Sequence, residues 1–446
     1  SDRKTMRTEK RVCICVPTEN RDHMIAEVLE YEKSYYPQFD IDIVYFDSGR
    51  DLKTEEVIKK YRGSGFDNLY HKRTPRDYCI DRKIVYIWEN EEFLKDYKYI
   101  WLINDSISVT KEALTEILSY LDEDYDLIRL PVAGAGEPDD HETTDPDDWF
   151  AHCSKGMAHM ASTIMSTRLL KGEIDWDGLY EKYVGTDDIH AKGHGFFFTV
   201  GFYLERIAGL SADGGFKGIL IGNRIKWRRD CPLKKGRSYW DELIFETWAR
   251  SYPETIMKIP ESYTGKEEVI RTSDNILFGR FERQSLISLR IRGLFSEKEC
   301  EKYKRFWPLV STLSYEELLT IARTPVEVLK SEYGENYGRI DRWEENLEAI
   351  EKSIGDREII VYGAGLYGEY VVKKLIDDGY DRQIAGIAVS DASKNVAEIF
   401  EKKVKNIDDY DEDKNRVIIV SALPDTAAEI TRSLRNKGFT DIVQLF

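Results

Sequence analysis

Short apolar runs alternate with helical spacings along the first half of the chain. Arg11–Val16, Ile41–Phe46 and Tyr97–Ile103 are nearly continuous apolar stretches that stop abruptly at polar residues. That is the pattern of strands buried on both faces of a parallel sheet. Asn68–Tyr70 reads as a weaker strand and Asp126–Val132 as another. Helical segments lie between them. One runs to about Ser34, capped by Thr18 or Asn20; one runs from its cap Thr54 to Tyr61; others cover Asp81–Trp88 and about Lys111–Leu121. Alternation of this kind predicts an α/β domain on a mostly parallel sheet. Ala133–Asp148 is rich in Gly, Asp, Glu and Pro and reads as an acidic loop, either solvated surface or a lid.

The later chain changes character twice, which suggests three parts: residues 1–235, a mostly helical connector at 236–355, and 356–446. In the connector, Tyr239–Trp248, Glu297–Tyr303, Ser314–Ala322, Pro325–Glu332 and Arg342–Ile354 have helical spacing. Trp240, Trp248, Phe306, Trp307 and Trp343 read as interhelical core, with an aromatic or two free to line a groove. In the last part, strand Glu358–Tyr362 runs into Gly363-Ala364-Gly365-Leu366-Tyr367-Gly368. A strand feeding Gly-x-Gly-x-x-Gly and then a helix is a dinucleotide-binding pattern. Ile384–Val389 follows, and Asp391 stands at about the 20-residue distance expected of a ribose-binding acid. Arg416–Val420 and Ile442–Leu445 complete a four-strand, Rossmann-like unit. Gly363, Gly365, Gly368 and Asp391 are its candidate nucleotide residues. The other reading is a packing or self-association module without a ligand. No Tyr-x-x-x-Lys pair follows closely, which counts against short-chain oxidoreductase chemistry.

Acidic residues (82) outnumber basic ones (65), for a net charge of −17. This argues against general nucleic-acid binding. It leaves room for a local basic pocket, and Arg224, Lys226, Arg228, Arg229, Lys234, Lys235 and Arg237 form one basic run, either a solvated loop or a phosphate-facing one. The six cysteines are scattered with no Cys-x-x-Cys pair. A reducing compartment is expected, with neither a disulfide framework nor a zinc site. No apolar run approaches the ~20 residues of a membrane span. The polar stretch Ser1–Lys10 resembles neither a signal nor a transit peptide.

The chemistry concentrates where the three best strands stop: Pro17–Arg21, Asp47-Ser48-Gly49 and Asn104-Asp105-Ser106. In a parallel sheet these ends share one edge and can converge on one ligand. For the last triplet a plain turn is the competing reading. The ordered set resembles the GT-A nucleotide-sugar glycosyltransferases, in particular the family-2-like group. That group has a first strand entering a Pro-Thr-x-Asn-Arg-like turn, a second ending in an Asp-containing turn, and a later apolar strand ending in Asp-x-Asp before a helix.

The resemblance implies a GT-A domain in the first part, and it implies roles residue by residue. Pro17, Thr18 and Asn20 would line the nucleotide pocket. Asp47 would accept a hydrogen bond from the base, and Asp81 and Lys83 would approach base and diphosphate. Asp105, beside Asn104, would face the ribose and a metal-bridged diphosphate. The metal would be Mn²⁺ or Mg²⁺, held by Asp105 and His194. Asn104-Asp105-Ser106 keeps only the middle acid of Asp-x-Asp, so metal dependence is open and Arg or Lys could neutralise the charge instead. Asp187-Asp188 resembles the acid pair that holds the catalytic base of inverting relatives. Asp188 is the first candidate and Asp187 its rival, while either could simply cap a helix. His152 and His159 are ligand or base candidates that could equally be structural, and His190 pairs with His194 as metal ligands only if that segment is helical, which Gly193 and Gly195 count against.

The implied activity is transfer of a sugar from a nucleotide diphosphate donor, UDP-linked by preference. The acceptor would be a hydroxyl of a glycan, lipid-linked glycan or glycoprotein, in bacterial surface polysaccharide or glycoprotein synthesis. The expected location is cytoplasmic, at most peripheral at the inner membrane face. The last part resembles small Rossmann-like modules appended to such enzymes, through which the chain could self-associate. Two other readings stand beside it: an NAD-dependent nucleotide-sugar-modifying enzyme built on the last part, and a non-catalytic sugar-nucleotide-binding subunit.

Overall fold

The computed structural model describes residues 10–76, 78–132, 139–185, 197–210, 215–222, 227–231, 243–272, 281–334, 337, 343–410, 416–422 and 424–446. The chain packs as two units, Ser1–Ile276 and Leu277–Phe446. The helices expected as one connector therefore divide. Tyr252–Lys258 and Lys266–Thr272 pack within the first unit, and those from Arg283 onward within the second.

The first unit is built on an eight-stranded mixed sheet. Its strands are β1 (Lys10–Thr18), β2 (Ile41–Asp47), β3 (Leu69–Arg73), β4 (Tyr97–Leu102), β6 (Leu127–Arg129), β7 (His141–Thr143), β8 (Thr163–Ser166) and β9 (Gly218–Leu220), in spatial order 3-2-1-4-8-6-9-7. β5 (Ile107–Val109) and β10 (Arg228–Asp230) pair separately as an antiparallel ribbon. β1 is central and runs parallel to both β2 and β4, and β3 extends the parallel half. Beyond β4 the pairing turns antiparallel at β8. β2 is buried along its whole length, as its mostly apolar sequence predicts.

Helices α1 (Asp22–Glu32), α2 (Lys53–Gly63), α3 (Ile80–Asn90), α4 (Lys111–Tyr120), α5 (Pro146–Met157), α6 (Trp176–Tyr183) and α7 (Phe198–Leu210) complete this unit's main frame. Ile14, Val16, Tyr45, Trp101 and Ile103 from the sheet pack with Ile25, Leu29, Ile58, Leu114 and Ile117 from the helices in one apolar core.

Several local expectations are corrected. Neither Thr18 nor Asn20 caps α1; the cap position is Arg21, without a side-chain bond, because Thr18 is engaged across the sheet edge instead. Thr54 lies inside α2, whose cap position is Leu52. The acidic stretch 133–148 is not all loop. Residues 133–138 lie outside the described residues, but His141–Thr143 pairs as the edge strand β7 with β9. Pro146 then opens α5 behind the Asp145 cap, a combination that fixes the start of a helix. The Tyr239–Trp248 helix is described only from Leu243, where a π-helical stretch, Phe245–Ser251, continues into Tyr252–Lys258.

In the second unit, helices Glu297–Lys302, Tyr315–Arg323, Val326–Tyr333 and Trp343–Ile354 fall close to where their spacing places them, and Arg283–Ile291 is a further helix that the sequence reading did not mark. Trp307 is buried against Phe281, Phe295 and Tyr303, as an interhelical aromatic should be. A six-stranded sheet follows: β11 (Glu358–Tyr362), β12 (Ile384–Val389), β13 (Glu398–Ile399), β14 (Lys402–Asn406), β15 (Arg416–Val420) and β16 (Ile442–Gln444), in spatial order 13-14-12-11-15-16. All pairs are parallel except β13–β14. The expected four strands gain β13 and β14, which the Lys- and Glu-rich sequence of that stretch hides. Among the described residues no helix is long and apolar enough to cross a membrane.

Glycines shape the turn after β11. Gly363 has φ +122°, which side-chain-bearing residues rarely adopt. A Cβ on Gly368 would lie 1.9 Å from the Gly363 carbonyl oxygen. Gly368→Ala should therefore destabilise this unit by about 1–3 kcal/mol, read from denaturant unfolding. An unchanged midpoint would mean that helix and turn separate at no cost.

Candidate functional site

The parallel half of the first sheet delivers three strand ends to one edge. Thr18 is in register with Asp47 across β1 and β2, and Cys15 with Leu102 across β1 and β4. Pro17 lies past the last β1–β4 pair, so its missing N–H breaks no bond on that side. The Ile103 amide still donates to the Cys15 carbonyl at 3.0 Å; the chain then turns through Asn104–Ser106, closed by the Ile107 amide on the Asn104 carbonyl at 3.1 Å. The turn thus sits between two paired strands, β4 and β5, and holds Asp105 on a rigid support.

Asp105 is buried, and both of its oxygens are engaged. Thr18 Oγ1 donates to Oδ2 at 2.7 Å, and Arg21 Nη1 to Oδ1 at 3.0 Å. Arg21 is 51% exposed, so this ion pair is readily opened and adds little stability.

Lys83, on α3, is buried as well. Its Nζ donates to the Thr18 carbonyl at 3.1 Å and to Ser48 Oγ at 2.6 Å. Burial holds the ammonium below its usual value, against the opposing pull of Glu19, Asp47 and Asp105.

Asp47 closes the third side. Its Oδ1 accepts from the Gly49 amide at 2.6 Å; its Oδ2 accepts from Arg73 Nη1 at 2.9 Å and faces His71 Nε2 at 3.2 Å. Burial pushes this carboxyl up, but His71, the Gly49 amide and Arg73 outweigh it and leave it below its ordinary value. Asn20 occupies the left-handed region, φ +53°, and its Oδ1 accepts from the Arg50 amide at 3.1 Å. The loops after β1 and β2 are thereby tied together.

Sequence reading missed His71 and Arg73. The register places Arg73 directly opposite Asp47, and His71, two residues earlier, shares its face. The available signal was the polar run His71-Lys72-Arg73 closing an edge strand, where charge is expected.

Thr18, Asn20, Asp47, Lys83 and Asp105 are brought to one edge, with Asn104 exposed beside them. Asp81 is not. It lies two residues from Lys83, so the helix turns it elsewhere. Its Oδ1 accepts from the Phe198 amide at the start of α7, at 3.1 Å. Burial pushes its carboxyl up to about 7, against that hydrogen bond.

Asp187, Asp188, His190 and His194 lie outside the described residues, as do Arg224, Lys226, Lys234, Lys235 and Arg237. The two described members of the basic run have partners within the protein. Arg229 reaches Glu27 at 3.5 Å and covers the Tyr31 ring at 4.0 Å, and Arg228 meets His159. His152 pairs with Asp148. In the second unit, Asp391 Oδ1 accepts from the Ser393 amide at 3.1 Å and hydroxyl at 2.6 Å, and Lys394 approaches Oδ2 at 3.2 Å. The carboxylate that would hold a ribose is thus bound into its own turn.

No family model matches the chain and no curated protein matches it. Solved structures do resemble it. The Staphylococcus aureus TarS 1-349 structure in complex with UDP-GlcNAc is 15% identical at TM-score 0.42, covering 77% of this chain and 92% of that one. The mannosyltransferase PcManGT from Pyrobaculum calidifontis, in complex with GDP-Man and Mn²⁺, is 13% identical at TM-score 0.37, covering 74% and 88%. Glucosyl-3-phosphoglycerate synthase from Mycobacterium tuberculosis is 13% identical at TM-score 0.34, covering 57% and 82%. At these values the likeness is distant.

Asp81 gives the site's surroundings a pH signature. Between its ordinary 3.8 and about 7, the folded state holds a proton that the unfolded state has released. Its contribution to stability therefore falls as pH rises through that window and is level above it. Asp81→Asn keeps an oxygen for the Phe198 amide and should flatten the slope of unfolding free energy between pH 4 and 7. A slope equal to the parent's would place the titration elsewhere.

Proposed function

We propose that this chain is a nucleotide-sugar glycosyltransferase of the GT-A type. It would take a sugar from a nucleoside diphosphate donor, UDP-linked by preference, to a hydroxyl of a glycan, lipid-linked glycan or glycoprotein. One observation carries the reading. The turn after β4 and helix α3 bring a carboxylate, Asp105, and a buried ammonium, Lys83, onto the same residue, Thr18, at the end of β1. Asp47 with His71 and Arg73 stands on the neighbouring strand. A polar edge of this kind, at the carboxyl end of parallel strands, suits a nucleotide.

The chemistry asks for stabilisation of charge on the departing diphosphate. Lys83 is held by two hydrogen bonds and desolvated, so its charge acts with little reorganisation. Arg21, half exposed, would turn from Asp105 to meet a phosphate. Asp47 is kept ionised by its neighbours and would meet a base N–H only where Arg73, 38% exposed, turns away from it.

The residues also fit a hard divalent cation. Asp105 offers a carboxylate whose Oδ1 partner can swing away, and Asn104 is exposed beside it. Such a cation needs only one or two carboxylates besides substrate phosphates. Mn²⁺ or Mg²⁺ held there would supply charge neutralisation of the diphosphate. On the sequence pattern, Asp188 is the proposed base that takes the acceptor hydroxyl proton, with Asp187 as the alternative and His194 as a further ligand.

Melting against UDP-, GDP- and CDP-sugars, with and without Mn²⁺, tests the reading. A donor at 100 times its dissociation constant adds about 2.7 kcal/mol. Asp105→Ala should abolish the shift and, by stranding the buried Thr18 hydroxyl, lower the ligand-free stability by about 1–3 kcal/mol. Lys83→Gln should lower transfer about 10²–10³-fold. A shift with NAD alone, lost on altering Gly365, would overturn the proposal and move the chemistry to the second unit.

A further inference from the structure

A separate cluster lies on the edge of the first sheet, where β7 meets α5. His141 leads β7 and is in register with Leu220 of β9. Its strand is held at both neighbours: Asp140 accepts from the Gly222 amide at 2.8 Å, and Glu142 from the Tyr125 hydroxyl at 2.9 Å. Asp148 is in the first turn of α5. That turn is fixed by the Asp145 cap and by Asp147, which accepts from both the amide and the hydroxyl of Thr264 at 2.7 Å. His152 lies four residues further on, on the same helix face as Asp148.

Three side chains from these two anchored elements converge. His141 Nε2 is 2.7 Å from Asp148 Oδ2, and His152 Nδ1 is 3.0 Å from Asp148 Oδ1. The two imidazoles stack at 4.6 Å between centroids and 28° between planes. One nitrogen or oxygen from each residue falls within 4.8 Å of the others. Two aromatic nitrogens and one carboxylate oxygen, on side chains that are half-buried at His141 and Asp148 and exposed at His152, form a donor set.

We propose that His141, Asp148 and His152 form a binding site for Zn²⁺ or a divalent transition metal of the same borderline class. The proposal is independent of the reading given for the Asp105 site. Neutral imidazoles are good ligands for such ions, whereas Mg²⁺ and Mn²⁺ prefer oxygen. Without metal, His141 Nε2 donates its N–H to the Asp148 carboxylate, and His152 Nδ1 donates to the Asp148 backbone carbonyl at 3.0 Å. Moving that proton to the ring's other nitrogen turns a lone pair on the cation, so a neutral pair of histidines binds with no net proton loss. Three protein ligands leave a further position for water. Occupied, the site clasps the edge strand β7 to α5, and its binding energy adds to the stability of the fold.

The whole chain, stripped with chelator, is titrated with ZnCl₂ alone and followed by calorimetry and melting. Co²⁺ absorption supplies a readout of the ligand field. The expected result is one ion bound, a raised melting temperature and a visible Co²⁺ band. Affinity should drop at least the ~10–100-fold that loss of an outer partner costs in His152→Ala and in His141→Ala. His152 is 56% exposed, so its variant should fold as the parent does. Asp105→Ala should bind Zn²⁺ like the parent. Zinc uptake unchanged in the His141→Ala/His152→Ala pair would hand the ion to the cysteines and overturn the proposal. Absence of uptake, or equal competition by Mg²⁺, would overturn it too.

Discussion

The first unit depends on one central strand pairing in parallel on both sides. Parallel neighbours cannot be joined by a hairpin, so the chain must cross back over the sheet before each new strand begins. Every strand of the parallel half then ends on the same side. Where the ladder stops, backbone carbonyls lose their partners while still close to the core. The Thr18 carbonyl shows how this is met: the Lys83 ammonium and the Ser48 amide both turn to it. The groups that satisfy the end of the sheet are thus the same groups that give that edge its chemistry.

Charge is arranged locally against the grain of the whole chain. The molecule is strongly acidic, yet at this edge each buried carboxylate stands beside a cation: Asp105 beside Arg21, Asp47 beside Arg73. Lys83 adds a further positive charge. An anionic ligand therefore meets a neutral to positive edge in a negative protein. The contrast is sharpest at short range, because the long-range field is screened within about 10 Å at ordinary salt.

Much of this was legible. Strands β1, β2 and β4 announce themselves by nearly continuous apolar runs, and their polar ends mark the edge before any coordinates. The second unit's strand–glycine–helix order is equally plain. What stayed hidden depends on neighbours distant in sequence. His71 and Arg73 matter only because β3 lies in register beside Asp47. Asp81 and Lys83 look like a pair in sequence, but the helix sends one to the amide of Phe198 and the other to Thr18. β7 is a three-residue strand within a stretch whose composition reads as loop, and pairing with β9 decides its form. Thr18 and Asn20 carry good capping side chains that tertiary contacts use for something else.

The turn after β11 separates two meanings of one glycine motif. Gly363 and Gly368 are required by the fold itself: one by its backbone angle, the other because the helix backs onto the preceding carbonyl. Gly365 has open space around its missing Cβ, and it is the position at which a pyrophosphate would approach the backbone. A lineage that never used a ligand here would still keep the outer two glycines and let the middle one drift. Across diverged descendants of this chain, the identity of that single position is the historical record of whether the second unit ever held a nucleotide.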